Sequence, residues 1–209
     1  MYKIGLMTAA LVAIPALAFA QADVATDITN AQVQKSLKEQ PEGDRTLRVL
    51  DLGAYQLSVA VVKRGATEGP NAPRRNGPPP TQAAAEPCGL SAAPAGAKMG
   101  PPGMISHDDT AETYIVIAGS GTLVTGGQIL KGRRSGPDSV VTKILNGPSC
   151  SGQAVGNFVS RKMNVGDISV IPAGVAHGWT GITDEVTYLS VRPDPKKVLE
   201  HGYVNPALK

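Results

Sequence analysis

Histidine, cysteine and aromatic residues are all scarce in this chain, and each scarcity narrows what it can do. Three histidines in 209 residues confine any imidazole chemistry to His107, His177 and His201. Two cysteines, Cys88 and Cys150, are too few for a structural zinc site, and neither has a histidine close in sequence to make a catalytic thiolate. Aromatic residues make up 4% of the chain, too few to serve as base-stacking platforms among the basic clusters Arg74-Arg75 and Lys131-Gly132-Arg133-Arg134. Those clusters lie in Gly/Pro-rich context and read as solvated loops. Charge of one sign is lacking too. The formal net charge is +3, and removing the first twenty residues takes away only Lys3, so there is no electrostatic case for nucleic acid.

Long apolar runs are also few. The run over 4–17 is too short for a membrane-spanning helix, follows Lys3, and ends in Ala18-Phe19-Ala20, with small residues where a signal peptidase reads. Residues 1–20 are therefore expected to be a cleaved secretory signal, with an uncleaved anchor as the alternative. The expected destination is the periplasm or the exterior, with no membrane attachment after cleavage. In such a compartment Cys88 and Cys150, both in loop-like sequence, read as a disulfide. The remaining chain suits one domain.

Thr29-Asn30-Ala31-Gln32 has the form of a capping box, and Val33 and Leu37 share a face, which predicts a short helix over 30–39 ending before Pro41. Segments 45–52 and 55–63 are β-branched and apolar and flank Gly53-Ala54, so they predict an antiparallel hairpin. From 65 to 103 the composition turns to Pro, Gly and Ala without periodicity, which predicts a long loop. Its role is open between a lid and a surface excursion tied down at Cys88. Strand signals resume over 113–118, 121–125, 158–163, 168–171 and 186–191. A second insertion is expected over 126–156, with 140–145 as an extra edge strand. The organisation expected is an N-terminal segment over 21–44, an antiparallel β-barrel or double-sheet roll over 45–195, and a tail over 196–209.

The stretch from Gly166 to His177 carries the most information. Gly166, Pro172, Gly174 and His177 fit the spacing G-x5-P-x-G-x2-H, and His107, Glu112 and Gly119 fit the end of H-x-H-x(3–4)-E-x6-G. Over 45–192 the chain therefore resembles the cupin superfamily. Two departures stand: Ile105 occupies the place of the first histidine, and Gly181 that of the second motif's trailing asparagine. The resemblance implies an all-β fold, the double-stranded β-helix or cupin jelly roll. It also implies a metal held by His107, Glu112 and His177, a divalent transition metal such as Fe, Mn, Zn or Ni. Residue alternation agrees: Glu112, Tyr114 and Val116 share one strand face, and His177 and Trp179 share another. Asp108 and Asp109 are reserve ligands, and His201 reads as a surface residue.

Two imidazoles and one carboxylate leave coordination positions open, as a catalytic site requires. The first functional expectation is an exported metal-dependent lyase, isomerase or dioxygenase acting on a small oxygenated organic molecule, with Tyr114 or Tyr188 supplying a proton. The second is a non-catalytic module that binds a small molecule or sugar. The third is an interaction protein whose Pro78-Pro79-Pro80 segment docks a partner. A homodimer is expected and is compatible with all three.

Overall fold

A computed structural model describes residues 24–70 and 85–209. The expected signal over 1–20 lies outside the described residues, as do Arg74-Arg75 and Pro78-Pro79-Pro80. Among the described residues no helix is long and apolar enough to cross a membrane.

Among the described residues ten strands form two antiparallel five-stranded sheets. The first contains β1 (Gly43–Asp51), β2 (Gln56–Gly65), β10 (Glu185–Asp194), β5 (Glu112–Gly119) and β8 (Ile168–Ile171), in that spatial order. The second has the order β3 (Pro87–Cys88), β6 (Gly121–Arg134), β7 (Ser149–Met163), β4 (Met104–His107) and β9 (His177–Thr180), with a further pairing of β6 to β9. This is the double-stranded β-helix that the two motifs imply. The hairpin of β1 and β2 is present as expected, with a bulge between Thr46 and Arg48.

Alternation decides what fills the space between the sheets. Tyr114 and Val116 from β5, Val62 from β2, Leu123 from β6 and Val186 and Tyr188 from β10 form one apolar cluster with Ile171 and Ile182. On the opposite face of the first sheet, Leu47, Val61, Ile117 and Leu189 are covered by Val33 and Leu37 of α1 (Asn30–Glu39). Thr29 and Gln32 close the capping box as expected. A ten-residue helix is marginal alone, so this apolar contact rather than propensity holds it in place.

The chain crosses from one sheet to the other through Gly119-Ser120-Gly121 rather than reversing within a hairpin. Gly119 has φ of 65°, and a Cβ there would meet the Glu185 carbonyl oxygen at 2.0 Å, so glycine is required by both conformation and space.

Three expectations are corrected. The supposed second insertion over 126–156 is mostly sheet: β6 runs on to Arg134 and β7 begins at Ser149, paired along their length. Glycines at 126, 127, 132, 152 and 156 hid these strands from a propensity reading, whereas here they accommodate bulges and close backbone approach. Segment 140–145 is not an edge strand, because Val141–Leu145 forms a single π-helical turn. The basic cluster Lys131 to Arg134 lies on β6 rather than in a loop, and Arg134 pairs with Asp108. Within the described part of the Pro-rich segment, β3 and bridges from Leu90 to Leu130 and Met99 to Val155 lay the chain along the second sheet. The Cys88–Cys150 disulfide joins it there.

Candidate metal centre

His107 closes β4, Glu112 opens β5 and His177 opens β9, so the three meet at the seam between the sheets. Two backbone contacts fix that seam. Ile105 pairs with His177 across β4 and β9, and the Gly174 N–H donates to the His107 carbonyl at 2.7 Å. Gly174 itself has φ of 79°, the left-handed turn that returns the chain inward after Pro172. The second motif thus positions its own histidine and also grips the histidine of the first.

All three side chains are buried, at 3% or less exposure. Glu112 Oε2 lies 3.2 Å from His107 Nε2 and 2.9 Å from His177 Nε2. Hydrogen bonding fixes which ring nitrogens carry protons. Ser149 Oγ donates to the Gly147 carbonyl at 2.8 Å and so must accept from His107 Nδ1, 2.8 Å away. His177 Nδ1 lies 2.9 Å from the Val175 carbonyl oxygen, which can only accept. Each neutral ring therefore turns an Nε2 lone pair toward Glu112, and His177 Nε2 has no hydrogen-bond partner. Lone pairs of two imidazoles and a carboxylate converging in a buried place repel unless a cation lies among them. Donors about 2.1 Å from one ion and adjacent in its shell stand about 3 Å apart, which the two spacings to Glu112 match. The donor set fits a transition metal, and these three residues form the group that could hold one.

Glu112 is oriented by residues that the motif does not contain. Its Oε1 accepts from Arg192 Nε at 2.7 Å, Asn146 Nδ2 at 3.1 Å and Ser190 Oγ at 3.1 Å. Arg192, 1% exposed, also donates to Asp44 Oδ2 at 2.7 Å and to the Leu145 carbonyl at 3.1 Å. Three donors on Oε1 leave Oε2 for the shared centre, which is the division of labour that outer partners of a metal ligand supply. Burial pushes the Glu112 carboxyl up, but opposing causes led by the Arg192 charge hold it well below the usual range. Burial lowers the His107 pKa, favouring the neutral ring.

The other nominated residues separate clearly. Tyr114 donates to Glu112 Oε2 at 2.8 Å, and burial first, then the Glu112 charge, push its phenol well above the usual value. Tyr188 packs against Tyr114 with ring centroids 4.3 Å apart and the planes tilted by 42°, and burial raises its pKa also. Asp108 and Asp109 do not join the cluster: they turn to Arg134 and Lys196. His201 is at the surface, 3.7 Å from Asp51. Beside the cluster opens a cavity of about 420 Å³ whose wall includes His177, Tyr114, Tyr188, Trp179, Ile105 and Arg64. Ile105, in the place of the missing histidine, is therefore apolar cavity wall.

No protein-family model and no curated protein matches the chain. Among solved structures it is similar to BH2720 from Bacillus halodurans (TM-score 0.39, 13% identity, covering 88% of this chain and 92% of that one). It is also similar to the DMSP lyase DddQ from Ruegeria pomeroyi DSS-3 (TM-score 0.36, 11% identity, 76% of this chain and 51% of that one). A third is a recombinant oxalate oxidase in complex with glycolate (TM-score 0.32, 16% identity, 75% and 54%). The chain spans about half the length of the lyase and the oxidase. At these identities and TM-scores the likenesses say nothing of its chemistry.

Proposed function

We propose that this cupin-type chain is an exported metalloenzyme, a lyase, isomerase or dioxygenase, that binds a transition metal through His107, Glu112 and His177 and acts on a small oxygenated organic molecule. The observation that carries the reading is the convergence of three buried lone pairs, His177 Nε2 without a partner among them, with His177 on the wall of a cavity. When bound, such a metal supplies Lewis acidity toward a carbonyl or enolate oxygen, or a site for dioxygen if it is iron.

The protein's own groups do the rest. His107 and His177 are held in one tautomer by Ser149 and Val175, and Glu112 is held ionised by Arg192. Tyr114 keeps its proton at Oη, next to Glu112 and on the cavity wall, where a substrate oxygen can take up that hydrogen bond. Tyr188 is the second candidate donor. Ile105, Ile182 and Trp179 exclude water around a carbon skeleton. Pro102 and Gly103, at the described end of the Pro-rich segment, border the same cavity.

The disulfide supports an oxidising destination, periplasmic or secreted. Exposed Ile168 and Val170 on the edge strand β8 support a homodimer; a monomer by analytical ultracentrifugation would remove that element.

The test is turnover. Metal-loaded protein is screened for oxygen uptake and for elimination or isomerisation of small hydroxy and keto compounds, with Tyr114→Phe and Tyr188→Phe beside it. Loss of about a hundredfold in kcat with metal content unchanged would mark a proton donor. Ligand recovered unchanged after long incubation with the metal-loaded protein would replace the enzyme by a binding module.

A further inference from the structure

We propose that the cavity takes a small organic acid, its carboxylate held by Arg64 and Tyr188 and the rest of the molecule extending toward His177. This deepens the metal-enzyme reading and rests on it for the second contact.

Alternation along β2 turns Ser58, Ala60 and Val62 inward, and Arg64 continues that face at the cavity mouth. Across the ladder Val62 pairs with Tyr188 and Arg64 with Val186, so Arg64 and Tyr188 stand diagonally on one face and both border the cavity. A guanidinium only donates, and a phenol hydroxyl carries a proton that it can donate. The pair thus presents N–H and O–H donors together, a cradle for an anion.

No carboxylate among the described residues forms an ion pair with Arg64. Asp44 Oδ2 is held by Arg192 at 2.7 Å. Glu42, which also borders the cavity, is exposed and not paired with Arg64. Arg64 is exposed at the mouth of a half-open cavity with mixed polar and apolar walls, where an entering carboxylate would meet it first. Ile105, Ile182 and Trp179 provide the surface for its carbon chain, and a volume of about 420 Å³ admits a small molecule. The aromatic contacts give the reach: Tyr188 touches Tyr114 with centroids 4.3 Å apart, and Tyr114 lies 5.9 Å from the His177 ring. The cradle and the metal cluster are one aromatic pair apart.

The experiment is calorimetric titration with a series of short-chain hydroxy and keto acids, each beside its own primary amide, against the parent, Arg64→Gln and Tyr188→Phe. Metal content is measured separately on each sample. The expected result is an acid bound at least about tenfold tighter than its amide by the parent. Arg64→Gln should lose that preference and keep its metal, with a partial loss in Tyr188→Phe. Equal binding of acid and amide by the parent, a preference that survives in Arg64→Gln, or no acid of the series bound would overturn the proposal. Acid preference in protein without metal would sink the metal reading alone, and metal without acid preference would sink this inference alone.

Discussion

Replacing Arg192 by methionine tests whether the network around Glu112 holds the seam between the sheets. Arg192 Nε donates to Glu112 Oε1 at 2.7 Å and to Ser190 Oγ at 2.9 Å. Its other nitrogens reach the Leu145 carbonyl at 3.1 Å and Asp44 Oδ2 at 2.7 Å. Methionine fills much of the volume but leaves two carboxylates facing a place with no cation. Removing one partner of a buried ion pair costs about 3–5 kcal/mol, and in a domain of this size that lowers Tm by roughly 10 °C. Lysine keeps the charge but has one nitrogen for four acceptors, so Arg192→Lys should fall between. The pH dependence gives the sign. In the parent the Glu112 carboxyl is held well below its unfolded value of about 4.3, so its contribution is present above that pH and is lost as pH falls through the folded value. Without Arg192, burial is opposed less and Glu112 takes up a proton more readily. The gap between parent and variant should therefore be widest at neutral pH and narrow on acidification. Urea denaturation between pH 4 and 8 with chelator present measures it. A loss below about 1 kcal/mol at neutral pH, or a gap that widens in acid, would refute the argument.

Four further outcomes are expected. Reducing Cys88–Cys150, which closes a separation of 62 residues, should cost about 4 kcal/mol by chain entropy, read as a drop in denaturation midpoint with dithiothreitol. Thr29→Ala removes the capping box of α1 and should cost about 1 kcal/mol in the same assay, with no effect on metal content. Gly119→Ala should cost more than about 2 kcal/mol, since it combines a left-handed backbone with a collision at the Glu185 carbonyl; a near-neutral result would contradict the crossing geometry. Tyr114 and Tyr188 have raised folded pKa values, so their contribution is complete below about pH 10 and lost as pH rises through the folded values. Their ultraviolet titration should coincide with alkaline unfolding, and Tyr114→Phe should blunt the alkaline fall in Tm.

The residues that could be read from sequence were those whose spacing is set by the backbone itself. Gly166 to His177 encodes a turn, and alternation from Glu112 through Val116 encodes a strand face, so the three converging side chains and the fold were legible. What stayed hidden depended on contacts between distant segments. Arg192 and Ser190 follow Tyr188 at intervals of two and so share its inward face, a signal that alternation along β10 offers. Asn146, Ser149 and Asp44 carried no local signal, because their places depend on where the π-helical turn at Val141–Leu145 and the bulge in β1 set them. The long β6–β7 pair was hidden for the opposite reason: its glycines lower strand propensity locally while the pairing is decided by the partner strand.

The most direct measurement is the metal content of protein purified from an exporting host without a polyhistidine tag or chelator. Elemental analysis should find about one equivalent of a transition metal in the parent and in the His201→Ala control. His177→Ala and Glu112→Gln should lose it while keeping their circular dichroism. A parent that holds no metal in the folded state, or variants that retain it, would contradict the claim that these converging lone pairs are a metal centre.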